Sequence, residues 1–468
     1  MDIGLLIWRW MVLALLGPLA LLAGPLVATA ESLKPRVVVL TDVSTWETDD
    51  SESLVRLLVH ADLLEIEGLV FTTGWSLDAT RDDFLGLIQD AVNAYEKDLP
   101  NLRKRSSQEG HVVDESRQPV GYWPSPQSLR DRTVVGSRRR GAAHVGAGND
   151  SPGSKLIIDL ADEDDQRPLW ITIWGGGNTL AQAIWRVQQD RTPAELKAFL
   201  GKLRVYAITD QDRDQKTPFE ESSHQWMRRE FERDLLFVWD ESAWKYQNGT
   251  GRKNWAEYES HIQGHGHLGQ VYPKYKYGVE GDTPAFLHLL PIGLNDPQIP
   301  TQGGWGGYFA WGQGEDRVTK CYTNWQDPDA STCRQLMEHF YPATFANFAA
   351  RMDWAKDGAG NRNPVVVIDG DRSLNVILKT ATQGTDVTVD AAGTYDPDGD
   401  QLSFQWWVID AAGTFKGPVE ILNDQTEKAT IRVPSEASGY TFHLICEVAD
   451  DGLHQLRGYR RIIFQATE

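Results

Sequence analysis

Along the chain, short unbroken apolar runs alternate with stretches in which apolar residues recur every three or four positions. Val37-Val38-Val39-Leu40-Thr41 is the first run, and Leu54, Val55, Leu57 and Leu58 follow as a helical stripe. A run without polar alternation predicts a strand covered on both faces, and the stripe predicts a helix lying on it. Residues 65–72 repeat the run and residues 81–97 the amphipathic pattern. Further on, residues 154–160 predict a helix, 169–174 a strand, Gly175-Gly176-Gly177-Asn178 a turn, 179–187 a helix and 203–209 a strand. Strands alternating with helices predict an α/β fold with a mostly parallel sheet. Past the Gly-, Asn- and Pro-rich residues 357–364 the period changes to two, in residues 386–389, 402–409, 429–433 and 440–448. That change predicts an all-β sandwich of about a hundred residues.

Two stretches fall outside this pattern. Arg9 precedes an apolar run from Met11 to Val27, and Ala28-Thr29-Ala30 offers small residues for cleavage, as in a secretory signal peptide. Asp2 weakens the positive end, so an uncleaved anchor is the alternative reading. The expected organisation is a signal peptide at 1–30, an α/β domain at 31–360 and a sandwich at 365–468, in a secreted or periplasmic protein. Residues 102–149 lose periodicity and read as a surface insertion. Within them Arg138-Arg139-Arg140 is a basic run, either solvated or a patch for phosphate or acid.

Composition narrows the function. Against 46 Lys and Arg stand 66 Asp and Glu, a net charge of −20, which argues against nucleic acid or an anionic membrane as partner. The 18 Trp residues can serve as core and as platforms on which sugars stack. Of three cysteines in an exported chain, Cys321 and Cys333 are near in sequence and are expected to form a disulfide, with Cys446 a small core residue.

Acid follows the predicted strand ends. Asp42 closes the first run and Glu47, Asp49 and Asp50 come next; Asp210-Gln211-Asp212 follows residues 203–209, and Asp282 opens a helix at Gly281-Asp282-Thr283-Pro284. In open α/β sheets that edge binds ligands. Carboxylates converging there repel one another unless a cation or shared protons compensate, and oxygen-only ligands favour a hard ion such as Ca²⁺. A solvated loop is the plain alternative for Asp210 and Asp212, and an N-cap for Asp282. The Gly175 run lacks the spacing of a nucleotide-binding loop, and its glycines are expected to bring backbone carbonyls toward an ion or sugar. His261, His265 and His267 have zinc-like spacing; substrate contact, with His261 the candidate, or structural hydrogen bonding are the other readings. Asp396-Pro397-Asp398-Gly399-Asp400 is an Asx-rich turn or a calcium loop.

These motifs resemble the acidic amino-terminal motif of nucleoside hydrolases. They resemble more closely a family of secreted, nucleoside-hydrolase-like proteins described as cellulose-binding. Asp42, Glu47, Asp49 and Asp50 carry the likeness, together with the stretch from Trp174 to Ala183, the Asp210-Gln211-Asp212 loop, Glu280-Gly281-Asp282-Thr283-Pro284 and Gly303-Gly304-Trp305-Gly306-Gly307. Residues 396–406 are similar to polycystic-kidney-type immunoglobulin-like modules. The resemblance implies a nucleoside-hydrolase-like, Rossmann-type sheet followed by an immunoglobulin-like sandwich. It further implies Ca²⁺ held by Asp42, Asp50, Asp282 and the Asn178 carbonyl, with Asp42 as catalytic base. Asp49, Asp210 and Asp212 would hold sugar hydroxyls, and Glu47 or His224 would assist the leaving group. The expected activity is an exported, metal-dependent hydrolysis of O- or N-glycosyl bonds in a polysaccharide-derived or nucleoside substrate. The alternative is a non-catalytic cellulose-binding protein on the same scaffold, favoured because Gly281 stands where nucleoside hydrolases carry a leaving-group His. Adhesion through the sandwich is a third reading.

Overall fold

Strand β1 (Arg36–Thr41) is buried along its whole length, with Val37 and Val39 in one apolar layer and Val38 and Leu40 in the opposite one. Its β-branched residues pack on both faces of a pleated ribbon, which is what places it at the centre of a sheet. The computed structural model describes residues 32–77, 79–106, 115–214 and 216–468, so the signal peptide expected at 1–30 lies outside the described residues.

From β1 the chain runs through α1 (Asp49–Leu58), β2 (Glu65–Phe71), α2 (Leu85–Ser106), α3 (Pro126–Asp131), β3 (Thr133–Val135), α4 (Pro152–Asp162), β4 (Leu169–Ile173), α5 (Asn178–Asp190), α6 (Pro193–Lys202) and β5 (Leu203–Ile208). It continues with α7 (Ser223–Phe231), β6 (Leu236–Asp240), α8 (Ala243–Lys253), α9 (Trp255–His261), α10 (Gly266–Val271), α11 (Thr283–Leu287), β7 (Ala310–Gln313), β8 (Lys320–Thr323) and α12 (Asp329–Asp357). The eight strands form one sheet in the order β3-β2-β1-β4-β5-β6-β8-β7, parallel except for the β7–β8 pair. Leu54, Ile88 and Phe348 from α1, α2 and α12 cover one face; Ile157, Leu180, Phe199 and Met227 from α4 to α7 cover the other.

The chain leaves β1 toward β2 on one side and returns to β4 on the other. The strand order therefore reverses between β1 and β4, and a crevice opens at their carboxyl ends. Residues 102–149, expected as a surface insertion, partly belong to this sheet. Thr133-Val134-Val135 pairs in parallel with β2, a strand too short to carry a period.

After α12 come β9 (Ile377–Thr382), β10 (Asp386–Asp390), β11 (Leu402–Val408), β12 (Glu420–Leu422), β13 (Lys428–Arg432), β14 (Thr441–Asp450) and β15 (Arg457–Thr467). They form the sheets β10-β13-β12 and β11-β14-β15-β9, antiparallel except for the β9–β15 pair. Trp406, Ile431, Leu444, Cys446 and Phe464 fill the space between them.

Strand β15 also grips the α/β part. The Arg461 amide donates to the Gly293 carbonyl at 2.9 Å, and the buried guanidinium donates to the carbonyls of Leu294 and Gly303. With no carboxylate beside it, burial pushes the Arg461 pKa down to about 9.

The expected disulfide is not present: Cys321, Cys333 and Cys446 are all free, buried thiols. Cys321 on β8 packs into the layer of α4 to α7 and Cys333 on α12 into the opposite one, so the sheet stands between them. Nearness in sequence does not bridge two faces of a sheet. Alkylation of unfolded, unreduced protein should therefore label all three cysteines, and mass spectrometry finding only Cys446 labelled would restore the bridge.

Candidate functional site

The first acids arise from the local geometry of β1 and α1. Asp42 is the residue after β1, and Asp49 and Asp50 are the first two of α1, where the positive end of the helix dipole favours anions. Asp282 joins them from across the sequence, and ligand oxygens of Asp49, Asp50 and Asp282 lie within 4.8 Å of one another. Asp282 immediately precedes α11, yet its side chain does not cap that helix, and its Oδ2 is buried without a hydrogen-bond partner. The capping alternative is thereby set aside.

The turn that carries Asp282 is tied down from α1. Glu280 takes a left-handed φ of 56° and its buried carboxylate meets the Arg56 guanidinium at 2.6 Å. Tyr258, Tyr272 and Gln247 donate to the same carboxylate, so Glu280 is held by bonds that satisfy a buried charge. Neighbouring Gly281 has no room for a side chain: a Cβ there would lie 2.6 Å from Asp49 Oδ2 and 2.9 Å from the Asn248 amide. Gly281→Ala should push Asp49 aside, at an overpacking cost of about 1–3 kcal/mol in chemical denaturation. An unchanged midpoint would show that Asn248 yields instead.

Asp42 sits in a backbone cradle. Ser76 donates to its Oδ2 from the hydroxyl at 3.1 Å and from the amide at 3.4 Å. Gly74 and Gly175 flank it so closely that a Cβ would fall 2.1 Å from Oδ2 and 2.8 Å from Oδ1 respectively. Thr41 donates to Asp50 and fixes its direction.

The electrostatics of the cluster are unbalanced. Asp42, Asp49, Asp50 and Asp282 are between 2 and 7 % exposed, and none of them forms an ion pair among the described residues. Burial first, then the neighbouring acids, push Asp42 up to about 7 and the half-buried Glu47 up to about 8. Burial likewise raises Asp49 to about 6, while Asp50 and Asp282 lie well above the usual carboxylate range. The donor set is all oxygen, crowded and short of positive charge, which fits a hard divalent cation.

The second acidic loop lies behind the glycine turn. Asp212 Oδ1 accepts from the Gly177 amide at 2.9 Å and its Oδ2 from the Ser223 amide at 2.8 Å. Asp210 accepts from Ser222 at 2.7 Å and lies 3.8 Å from Arg228. His224 is fully buried with neither ring nitrogen hydrogen-bonded, its Nε2 4.0 Å from Asp212 Oδ1. These three ligand groups also converge. Within the glycine turn, the Gly176 amide donates to the Thr73 carbonyl and the Gly177 amide to Asp212. The Asn178 side chain is bound in both directions to the Gly141 backbone, at 2.8 and 2.7 Å.

His261 is not brought to the acids. It pairs with Glu257 at 3.5 Å and stacks edge-on against His454 of β14–β15. His265 turns to Asp353 and His267 to Asp98, so the three histidines diverge to three carboxylates and form no zinc cluster among the described residues. Helices α9 and α10 point the rings in different directions, which spacing in sequence does not reveal.

Several site residues carry no sequence signal of the role they play. Asn248 on α8 faces Asp49, and Gln211 accepts from the Trp75 amide at 3.2 Å and donates to the Trp174 carbonyl. Trp46 and Trp75, 49 and 42 % exposed, stand on the loops that carry Glu47 and Ser76 and so rim the acids. Trp75 packs edge-on against Trp244 at 6.2 Å, and Arg81 covers Trp46 at 5.4 Å. Only their residue type, suited to sugar stacking, could have marked them.

Comparison with known proteins agrees with this architecture. Residues 36–309 match the model of the cellulose-binding Sde182 nucleoside hydrolase-like domain, and residues 386–466 that of the cellulose-binding protein Sde0182 C-terminal domain. No curated protein matches the chain. A solved structure from Saccharophagus degradans is described as a nucleoside hydrolase-related hypothetical protein associated with carbohydrate metabolism. It is 35 % identical over 93 % of this chain and 100 % of its own, with a TM-score of 0.80. The PKD domain of the KIAA 1837 protein aligns with 24 % of the chain at 20 % identity, covering 93 % of its own, and its TM-score of 0.16 carries no weight. With its nucleoside hydrolase-like sheet and its C-terminal sandwich both matched, this chain belongs to the cellulose-binding family typified by Sde182.

Proposed function

We propose that the protein is an exported, metal-dependent hydrolase of glycosidic bonds that acts on a polysaccharide-derived saccharide, with a nucleoside the other substrate class for this scaffold. The observation that carries the reading is the orphaned, buried Asp282 Oδ2 beside Asp49 and Asp50 in a cluster without a counter-charge. Asp42, Asp50 and Asp282, with the Asn178 carbonyl, would hold Ca²⁺. When bound, the cation would offset the clustered charge and acidify water.

The chain's own residues then divide the work. Asp42, fixed by Ser76, takes the proton from the water that attacks the anomeric carbon. Asp49 accepts from sugar hydroxyls, with its other neighbours Asn248 and Gly281 setting its position. Trp46 and Trp75 stack sugar rings on either side and keep water from the bond. Glu47, its carboxyl held above the usual range by burial and by Asp49 and Asp42, is the group placed to give a proton to the leaving group. Asp212 holds the glycine turn through the Gly177 amide, with His224 packed beside it, and Asp210 stays the loop's candidate for sugar hydroxyls.

The binding-protein reading is favoured by one observation: position 281 has no space for the leaving-group His of nucleoside hydrolases. Under it the same Trp rim and acids hold a cellulose-like chain without cleaving it, in line with the family's cellulose-binding description. Export is part of the proposal; among the described residues no helix is long and apolar enough to cross a membrane. Purified protein loaded with Ca²⁺ and incubated with nucleosides and with oligomers of plant and algal polysaccharides separates the readings. Released sugar supports the hydrolase, and tight binding without release supports the binder.

A further inference from the structure

Close to the acids the chain builds a pocket of opposite character. A cavity of about 130 Å³ is lined by Ser137, Arg138, Arg139, His144 and Asn149, with no carboxylate in its wall. It shares Ser137, Arg138 and Asn149 with a second cavity of about 440 Å³, whose wall adds the apolar Leu85, Val134 and Pro152. The basic run of the sequence thus lines a concavity rather than a solvated face.

The pocket is short of anions. Asp150 in the larger lobe is spent on Arg186, at 2.5 Å, and on Gln182. Asp82 meets Arg138 only at 3.4 Å, with both side chains more than half exposed, and Arg139 is in no ion pair among the described residues. The Ser137 hydroxyl, on a residue only 4 % exposed, has no hydrogen-bond partner. Its place is fixed by the Ser137 amide, which donates to Thr179 at 2.9 Å in the first turn of α5. Gly141 is clamped to Asn178 in the same turn. Since α5 follows the glycine turn that flanks Asp42, the pocket adjoins the acid site along one edge of the sheet.

We propose that this double cavity binds an anionic sugar residue, one carrying a carboxylate or a sulfate ester. The small lobe receives the anionic group on the two guanidinium groups and the Ser137 hydroxyl, and the larger lobe receives the ring against its apolar wall. A guanidinium fork can pair with two oxygens of either group at once. A chain of net charge −20 has no general attraction for polyanions, which leaves nucleic acid and anionic membranes as poor occupants and makes any anion preference local. The saccharide half of the proposal rests on the carbohydrate reading above; the anion half stands on the pocket alone.

Calorimetry on the full chain with four probes tests it: a neutral cello-oligosaccharide, an oligouronate of equal length, a sulfated oligosaccharide and inorganic sulfate. One acidic saccharide should bind at least about tenfold more tightly than the neutral one at low ionic strength, since charge-assisted hydrogen bonds exceed neutral ones. The tighter of the two acidic arms identifies carboxylate or sulfate ester as the group recognised. Arg138→Gln with Arg139→Gln should erase that advantage and leave neutral binding unchanged; both side chains are exposed, so the double variant keeps its fold. Equal affinity for neutral and acidic saccharides would overturn the proposal while the carbohydrate reading stands. Arginine-dependent sulfate binding with no saccharide bound would overturn the acidic-sugar assignment and the carbohydrate reading together.

Discussion

Asp42→Asn is expected to cut turnover about 10²–10⁴-fold on any substrate the parent protein cleaves, with fold and sugar binding retained. Asparagine fills the cradle of Ser76, Gly74 and Gly175 and can still accept from Ser76, but it cannot take a proton from water. The crowding around Asp42 also means that loss of one negative charge relieves its neighbours, so without metal the variant should be no less stable than the metal-free parent. Asp49→Asn is the contrast. Because Asp49, held by Asn248, is the residue assigned to the sugar hydroxyls, its loss should raise KM as well as lower kcat. Steady-state kinetics on both variants checks the pair. Near-parental turnover by Asp42→Asn sinks the proposed mechanism, and equal oligosaccharide binding with no cleavage by parent or variants decides for the binding protein.

Chelation is expected to lower the melting temperature, and by more at pH 8 than at pH 5. A carboxylate whose folded pKa lies above its unfolded value holds more protons folded than unfolded in the interval, so stability falls as pH rises through it. For Asp42 that interval runs from 3.8 to about 7, and for Glu47 from 4.5 to about 8. Metal-free protein should thus be unpenalised near pH 4 and lose stability progressively toward pH 8. Ca²⁺ at about a hundred times its dissociation constant contributes about 2.7 kcal/mol, which in a chain of this size moves the melting temperature by about 3 °C. Calorimetric scans across pH, with chelator and with Ca²⁺, read this directly. A melting temperature indifferent to chelator at pH 8 would remove the metal from the account.

What could be read from the sequence and what could not divides along the range of the interactions. Val37 to Leu40 announce a central strand because burial on both faces depends only on their own side chains, and Asp42, Asp49 and Asp50 follow within one loop and one helical turn. Asp282 was found by its motif, although what ties it to α1, the Arg56–Glu280 pair, joins residues far apart in the chain. Asn248 beside Asp49 has no local pattern, and Gln211, though inside the acidic motif, shows nothing there of its bridge between Trp75 and Trp174, since these roles exist only once the segments meet. The same blindness misled in the other direction. Cys321 and Cys333 are close in sequence but a sheet apart, while His261, His265 and His267 take the structural reading, each meeting its own carboxylate.

The grip of Arg461 on the carbonyls of Gly293, Leu294 and Gly303 bears on how such a protein can evolve. A gene ending before β9 would inherit those carbonyls facing a vacated surface, together with Trp305, whose edge contact with Tyr459 at 6.0 Å would be gone. Unsatisfied carbonyls of that kind are costly wherever water is slow to reach them. The sandwich is therefore not freely shuffled cargo of the sort exchanged between secreted proteins on flexible tethers. A replacement module would have to bring its own arginine on an equivalent strand, at the same register, and recombination seldom supplies all of these at once.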